Sequence, residues 1–131
     1  MSADISFSRD TRQALVADWI AKAFGADHAT SLPQRGLRML EEAIEAYQSA
    51  GGTSEMAHKL VDYIFSRPIG ELGQEIGGIM ITVYGLANAA GLSVEAEEER
   101  EYRRVLSKPL EHHAARNQAK NDAGFNLTDN G

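Results

Sequence analysis

Two acidic groupings carry the chemistry this chain could do: Glu41-Glu42-Ala43-Ile44-Glu45 and Glu71-Leu72-Gly73-Gln74-Glu75-Ile76-Gly77-Gly78. Carboxylates are oxygen donors, and hard divalent cations such as Mg²⁺ and Mn²⁺ take oxygen ligands. Mg²⁺ is commonly held by one or two carboxylates together with the phosphates of a substrate. The residue types therefore point to a divalent cation working on a phosphorylated small molecule.

Both groupings fall on segments with helical spacing. At about 100° per residue, Leu37, Leu40, Ala43, Ile44 and Tyr47 share one side of the first helix. Arg38, Glu41, Glu42 and Glu45 occupy the adjoining arc, beside the apolar face rather than opposite it. On the second helix Leu72, Ile76, Ile79, Val83, Leu86 and Ala90 form an apolar stripe. A quarter turn away run Glu71, Glu75, Gly78, Thr82, Gly85 and Ala89. A glycine inside a helix costs about 0.8–1.0 kcal/mol relative to alanine. Gly73, Gly77, Gly78 and Gly85 thus cost on the order of 3–4 kcal/mol, a large share of a typical 5–15 kcal/mol stability. Close helix approach is the expected reason for Gly73 and Gly77, and room for a ligand the expected reason for Gly78 and Gly85.

The elements that must position these groups all read as helices. Apolar spacing predicts helices over Arg9–Phe24, from Pro33 to Ala50, from a Thr53 or Ser54 cap to the residues before Arg67-Pro68, over Ile69–Ala90, and after a Ser93 cap. A weaker terminal helix is expected over Leu110–Asp122, with Ala26–Leu32 as a loop. Met56, Leu60 and Ile64 are expected to point inward, Trp19 to anchor the core, and the Ile69–Ala90 helix to be central. The chain thus reads as all-α, about five helices plus the terminal one, forming one domain over 1–125 with a disordered tail at 126–131.

Composition narrows the partners. With 131 residues and 43% hydrophobic content, one domain with a moderate core is expected. A net charge of −6 repels a nucleic-acid backbone, which argues against polymer binding but not against a metal-bound mononucleotide. The absence of cysteine rules out disulfides and thiolate metal sites and suits a reducing cytoplasm. The Met1-Ser2-Ala3-Asp4 start carries no export pattern, and no segment approaches the roughly 18 apolar residues of a membrane span, so a cytoplasmic protein is expected.

With the acids in place, the chain resembles the all-α nucleoside triphosphate pyrophosphohydrolases of the MazG-like superfamily, whose hallmark is EExxE followed on a later helix by ExxD. Glu41 to Glu45 matches the first half completely, and Glu75 begins the second. The segments Arg35-Gly36-Leu37-Arg38-Met39-Leu40-Glu41, His58-Lys59-Leu60-Val61-Asp62-Tyr63, Arg67-Pro68-Ile69-Gly70-Glu71 and Gln74-Glu75-Ile76-Gly77-Gly78 look like the phage-associated dATP/dGTP diphosphohydrolase branch, the MazZ type. The resemblance implies a MazG-like bundle and Mg²⁺- or Mn²⁺-dependent cleavage between the α and β phosphates of a purine deoxynucleoside triphosphate, in a homodimer or homotetramer; a phage enzyme would act in the host cytoplasm.

Carried onto this sequence, the family pattern makes Glu42, Glu45 and Glu75 metal ligands. Gly78 stands where the superfamily has its Asp, and Glu71, then Asp62, are the expected replacements. Glu41 is expected to hold a further ion or accept the proton of the attacking water, with a solvated surface glutamate as the alternative. Arg35, Arg38, Arg67, Lys108, Arg116 and Lys120 are the cations available to a triphosphate, each also readable as a surface charge. Two other functions fit the sequence: a non-catalytic helical module with an acidic surface for a basic partner, and the same chemistry on a different nucleotide. A diiron bundle is disfavoured because no Glu-x-x-His pair stands on the appropriate helices.

Overall fold

Polar side chains, among them Ser8, Thr53, Glu71 and Ser93, start helices by taking backbone N–H groups that have no partner inside the helix. Ser8 Oγ accepts from Thr11 N at 3.2 Å to open α1 (Arg9–Phe24), and Thr53 Oγ1 accepts from Met56 N at 3.2 Å to open α4 (Ser54–Phe65). Glu71 caps α5 (Leu72–Ala90), and Ser93 Oγ accepts from Ala96 N at 3.2 Å to open α6 (Val94–Ser107). The remaining elements are α2 (Ala26–Thr30), α3 (Leu32–Ser49) and α7 (Leu110–Asp122). This computed structural model describes residues 8–128; residues 1–7, where no export pattern is expected, and 129–131, the end of the expected tail, lie outside the described residues.

The all-α expectation holds, with seven helices among the described residues rather than five and a terminal one. The additional element is α2, a single turn closed by Ala29 N to Gly25 O at 3.1 Å and by Thr30 Oγ1 to Ala26 O at 2.9 Å. Its small polar residues read as a loop because one turn carries no apolar period. The long helix begins three residues later than expected. Pro68 and Gly70 precede it, and the Glu71 side chain then takes the capping position.

The chain divides into two compact units. The first takes the described residues of Met1–Ala46 and Pro109–Gly131, and the second is Tyr47–Lys108. In the first unit α1 packs on α2 and α7. Trp19 anchors this packing as expected, its ring edge-on to Phe24 at 5.5 Å and to His113 at 4.9 Å between centroids. The buried residues among those described are Ala23, His28, Gln34 and His113; the Gln34 amide is hydrogen-bonded, whereas His28 Nδ1 is buried without a hydrogen-bond partner.

In the second unit α5 packs on α6 across a 102° bend. Gly91 makes this turn with φ 70°, a left-handed conformation that glycine adopts without a Cβ penalty. Its N–H and that of Leu92 return to Asn88 O and Ala87 O. Ion pairs Arg100–Glu97, Arg103–Glu99 and Arg104–Glu101 run along the exposed face of α6, the acid-before-base order that suits a helix.

The apolar stripes of this unit are where the expectation fails. None of residues 47–108 is buried, and Met56, Leu60 and Ile64, expected inward, are about half exposed. Leu72, Ile76 and Leu86 of α5 are likewise exposed, so α5 is not the central helix of a core within the chain. Periodicity reports which face a helix must cover, and it carries no information about whether the cover comes from the same chain. Among the described residues no single helix is long and apolar enough to cross a membrane.

Candidate functional site

The first acidic grouping sits on the middle of α3 in the first unit. Glu41 Oε2 accepts from Lys120 Nζ of α7 at 3.0 Å and lies 3.8 Å from Arg38 Nη1, one turn earlier on α3. Arg38 Nη2 in turn donates to Asn117 Oδ1 at 3.3 Å. Three of the sequence-predicted residues, Arg38, Glu41 and Lys120, are therefore gathered into one partly buried network that joins α3 to α7. Such a network fixes the Glu41 carboxylate in place, because the contacts to Lys120 and Arg38 restrict its rotamers. Glu42 and Glu45 lie on exposed arcs of the same helix.

Beside this network is a recess of about 250 Å³ lined by Leu37, Leu40, Ile44 and Phe125, and also by Arg38, Glu41 and Glu45. The apolar side comes from the α3 face facing away from solvent-seeking Glu42. Phe125 comes from the segment after α7. Gly124, with φ 95°, turns the chain there, and Phe125 N donates back to Lys120 O at 2.9 Å. The segment is then tied to α3 by Gln34, which is fully buried. Its Nε2 donates to Phe125 O at 3.3 Å, and its Oε1 accepts from Leu127 N at 2.7 Å. Residues 126–128, the first part of the expected tail, are thus hydrogen-bonded, with Asn126 Oδ1 also accepting from Thr128 N at 3.0 Å.

Arg35 lies against the Phe24 ring, its guanidinium carbon 5.9 Å from the centroid, and its Nε is buried without a partner. Burial and the neighbouring Arg38 both lower its pKa from an already high value. His28, buried in α2, has its pKa lowered by burial first and then by Arg35 and Arg38. Both shifts come first from burial and then from the neighbouring arginines at the start of α3. Arg116 is exposed on α7.

The second acidic grouping belongs to the other unit. Glu71 is not on the helical stripe: both its carboxylate oxygens cap α5, accepting from Gln74 N at 2.6 Å and Gly73 N at 2.9 Å. These two bonds, Gln74's first, hold its pKa below the usual carboxylate range. The carboxylate of Glu75 lies against Gly70, where any Cβ would collide with Oε1. His58 Nδ1 pairs with Ser54 O at 2.7 Å on α4, which also carries Asp62. Arg67 lies over the Tyr63 ring at 5.4 Å, and Lys108 caps the end of α6.

The helix glycines divide differently from the expectation. Gly73 is explained by the Glu71 carboxylate, which a Cβ there would meet at 3.0 Å, rather than by helix approach. Gly77, like Gly78 and Gly85, meets nothing of this chain within 4 Å. Among the described residues no three His, Asp or Glu side chains are grouped closely enough to hold a metal ion. The donor set on α3 nevertheless has the chemistry for one: Glu42 and Glu45 are oxygen donors one turn apart, which is what a cation sharing its shell with phosphate requires.

Gln34 and Phe125 went unnoticed in the sequence. Gln34 is an uncharged residue in a helix start, and its amide acquires a role only through a segment some ninety residues away. The one signal for Phe125 was a lone aromatic in an otherwise polar stretch after a glycine. Comparison of the chain with protein-family models, with curated proteins and with solved structures gives no match.

Proposed function

We propose that the chain is a metal-dependent nucleoside triphosphate pyrophosphohydrolase that converts purine deoxynucleoside triphosphates, dATP or dGTP, to the monophosphate and pyrophosphate. The observation that carries this reading is the position of the Glu41–Glu45 carboxylates. Of these, Glu41 and Glu45 line a partly apolar recess on a helix whose earlier turns supply Arg35 and Arg38. A nucleotide presents the same pairing of an apolar ring with an anionic chain.

In this reading Glu42 and Glu45 would hold Mg²⁺ or Mn²⁺, with Glu75 and either Glu71 or Asp62 of α4 as further candidate acids. The bound cation would neutralise phosphate charge and lower the pKa of a water. Water attack at the α phosphorus would form a new P–O bond as the bridging bond to the β phosphate breaks and pyrophosphate leaves. Glu41 accepts the water's proton or holds a further ion, positioned by Lys120 and Arg38. Arg35, Arg38, Arg67, Lys108, Arg116 and Lys120 are the cations available to the triphosphate. Capping makes Glu71 a poorer ligand than Asp62, since a cation would have to displace two backbone donors.

We further propose a homodimer or homotetramer acting in a cytoplasm. The unburied apolar faces of α4 and α5 support the assembly, because soluble monomers rarely expose contiguous apolar patches above a few hundred Å². The same faces favour a second reading, a non-catalytic helical module that binds another protein.

The deciding experiment is a panel of nucleoside triphosphates with Mg²⁺ or Mn²⁺, resolving monophosphate plus pyrophosphate from diphosphate plus phosphate. Turnover of dATP or dGTP to the first pair is expected, and turnover confined to other bases would keep the chemistry and move the substrate. No turnover across the panel would leave the interaction module. Glu45→Gln and Glu75→Gln are each expected to abolish activity with unchanged helical circular dichroism. Full activity in either would remove that residue from the metal set.

A further inference from the structure

We propose that Phe125 is the base-binding residue of this site, its ring forming one wall of a purine seat whose other wall is Leu37, Leu40 and Ile44. The inference rests on the nucleotide reading above and extends it to the subsite that recognises the base.

Four observations carry it. The recess, about 250 Å³, is smaller than the roughly 300–1,000 Å³ that encloses a drug-sized ligand, and it suits a single heterocycle. One wall is aromatic, and every nucleobase offers a π face that stacks on such a ring. Glu41 and Glu45 line the same recess. On α3 Leu37 precedes Glu41 by four residues, about one helical pitch of ~5.4 Å. A base and its α phosphate are likewise separated by one sugar ring, so a base on the apolar floor brings its phosphates to the acids.

The fourth observation is how firmly Phe125 is placed. Gly124 turns the chain out of α7, Phe125 N closes on Lys120 O, and the fully buried Gln34 amide grips both Phe125 O and Leu127 N. The backbone on both sides of Asn126 is anchored to α3, the helix that carries the acids. Gln34 is thereby a positioning residue for the aromatic wall.

Purines offer the larger stacking surface, so the seat favours them over pyrimidines. For Phe125→Ala the expected result is a KM for dATP or dGTP raised about tenfold or more. A tenfold step corresponds to about 1.4 kcal/mol, within the range of base–aromatic stacking. The purine-over-pyrimidine ratio of kcat/KM should shrink in parallel. Inhibition by pyrophosphate, which has no base, should stay within twofold of the native value, and Phe125→Trp should restore the KM. An unchanged KM in Phe125→Ala, or pyrophosphate inhibition weakened as much as dATP binding, overturns the proposal while leaving the hydrolase reading intact. Failure of the native chain to hydrolyse any nucleotide overturns both. Photolabelling of the native chain with 8-azido-dATP gives a readout independent of any variant. Label in the peptide containing Phe125 supports the seat, and label confined to other peptides overturns it.

Discussion

Replacing Gln34 with leucine isolates what holds the C-terminal segment. The side chain is fully buried and makes two hydrogen bonds to that segment, one to Phe125 O and one from Leu127 N. Each such bond is worth about 0.5–1.5 kcal/mol net, so their joint loss weakens the attachment by ~1–3 kcal/mol. Leucine fills a similar volume and adds apolar contact, which offsets part of the loss in the whole fold. Thermal denaturation is therefore the wrong assay, and amide hydrogen exchange read residue by residue is the right one. At about 1.4 kcal/mol per factor of ten, Leu127 N–H should exchange ~5- to 150-fold faster in Gln34→Leu. Phe125 N–H supplies an internal control, because it donates to Lys120 O and not to Gln34. Its protection should persist. Equal exchange at Leu127 in native and variant chains would refute the clamp, and loss of protection at both amides would mean that the variant disrupts the end of α7 itself.

The exposed faces of α4 and α5 give a second test: Leu60→Asp or Ile76→Asp should lower the oligomeric state measured by light scattering. A native chain that is already monomeric would refute the assembly. His28 gives a pH test. Its folded pKa is lowered, so below its ordinary value near 6.5 the unfolded chain binds the proton more readily and stability falls as pH drops. The urea midpoint should decrease from pH 7 toward 5, less steeply in His28→Gln, and equal slopes in the two proteins would refute the assignment. Finally, Mn²⁺ measured by electron paramagnetic resonance should bind at least tenfold more tightly with a non-hydrolysable dATP analogue present than without it. Equal affinity would mean a metal site complete without phosphate.

How much of this was legible in the sequence depends on the range of the interaction. The caps at Thr53 and Ser93, the bounds of α1 and α7 and the glutamate–arginine ladder of α6 are settled within one or two helical turns, and they read correctly. Glu71 reads as a helical position by spacing, yet its side chain reaches its own backbone's Gly73 and Gln74 N–H groups. Pro68 and Gly70 were the cue to a later helix start. On α3 the sequence identified Arg38, Glu41 and Lys120 as separate candidates but not their meeting, because α7 comes some eighty residues later. The Gln34 clamp had no sequence signature, since a glutamine amide gains meaning only from the backbone placed beside it.

On the hydrolase reading, the α3 network also divides the labour of the acids. Glu41 already has Lys120 at 3.0 Å and Arg38 at 3.8 Å, so a cation approaching it must compete with two fixed positive charges. Glu42 and Glu45 are the more exposed oxygen donors of the grouping, one turn apart on α3. A hard cation that keeps several waters and shares its shell with phosphate needs no closed protein cage. On that reading, two carboxylates from one helix would hold the metal–nucleotide complex, leaving Glu41, hydrogen-bonded to Lys120, for the water's proton or a further ion. Selectivity for the nucleotide then cannot come from the acids, which see only phosphate and metal. It has to come from the recess that they border, where Phe125 faces the apolar side of α3.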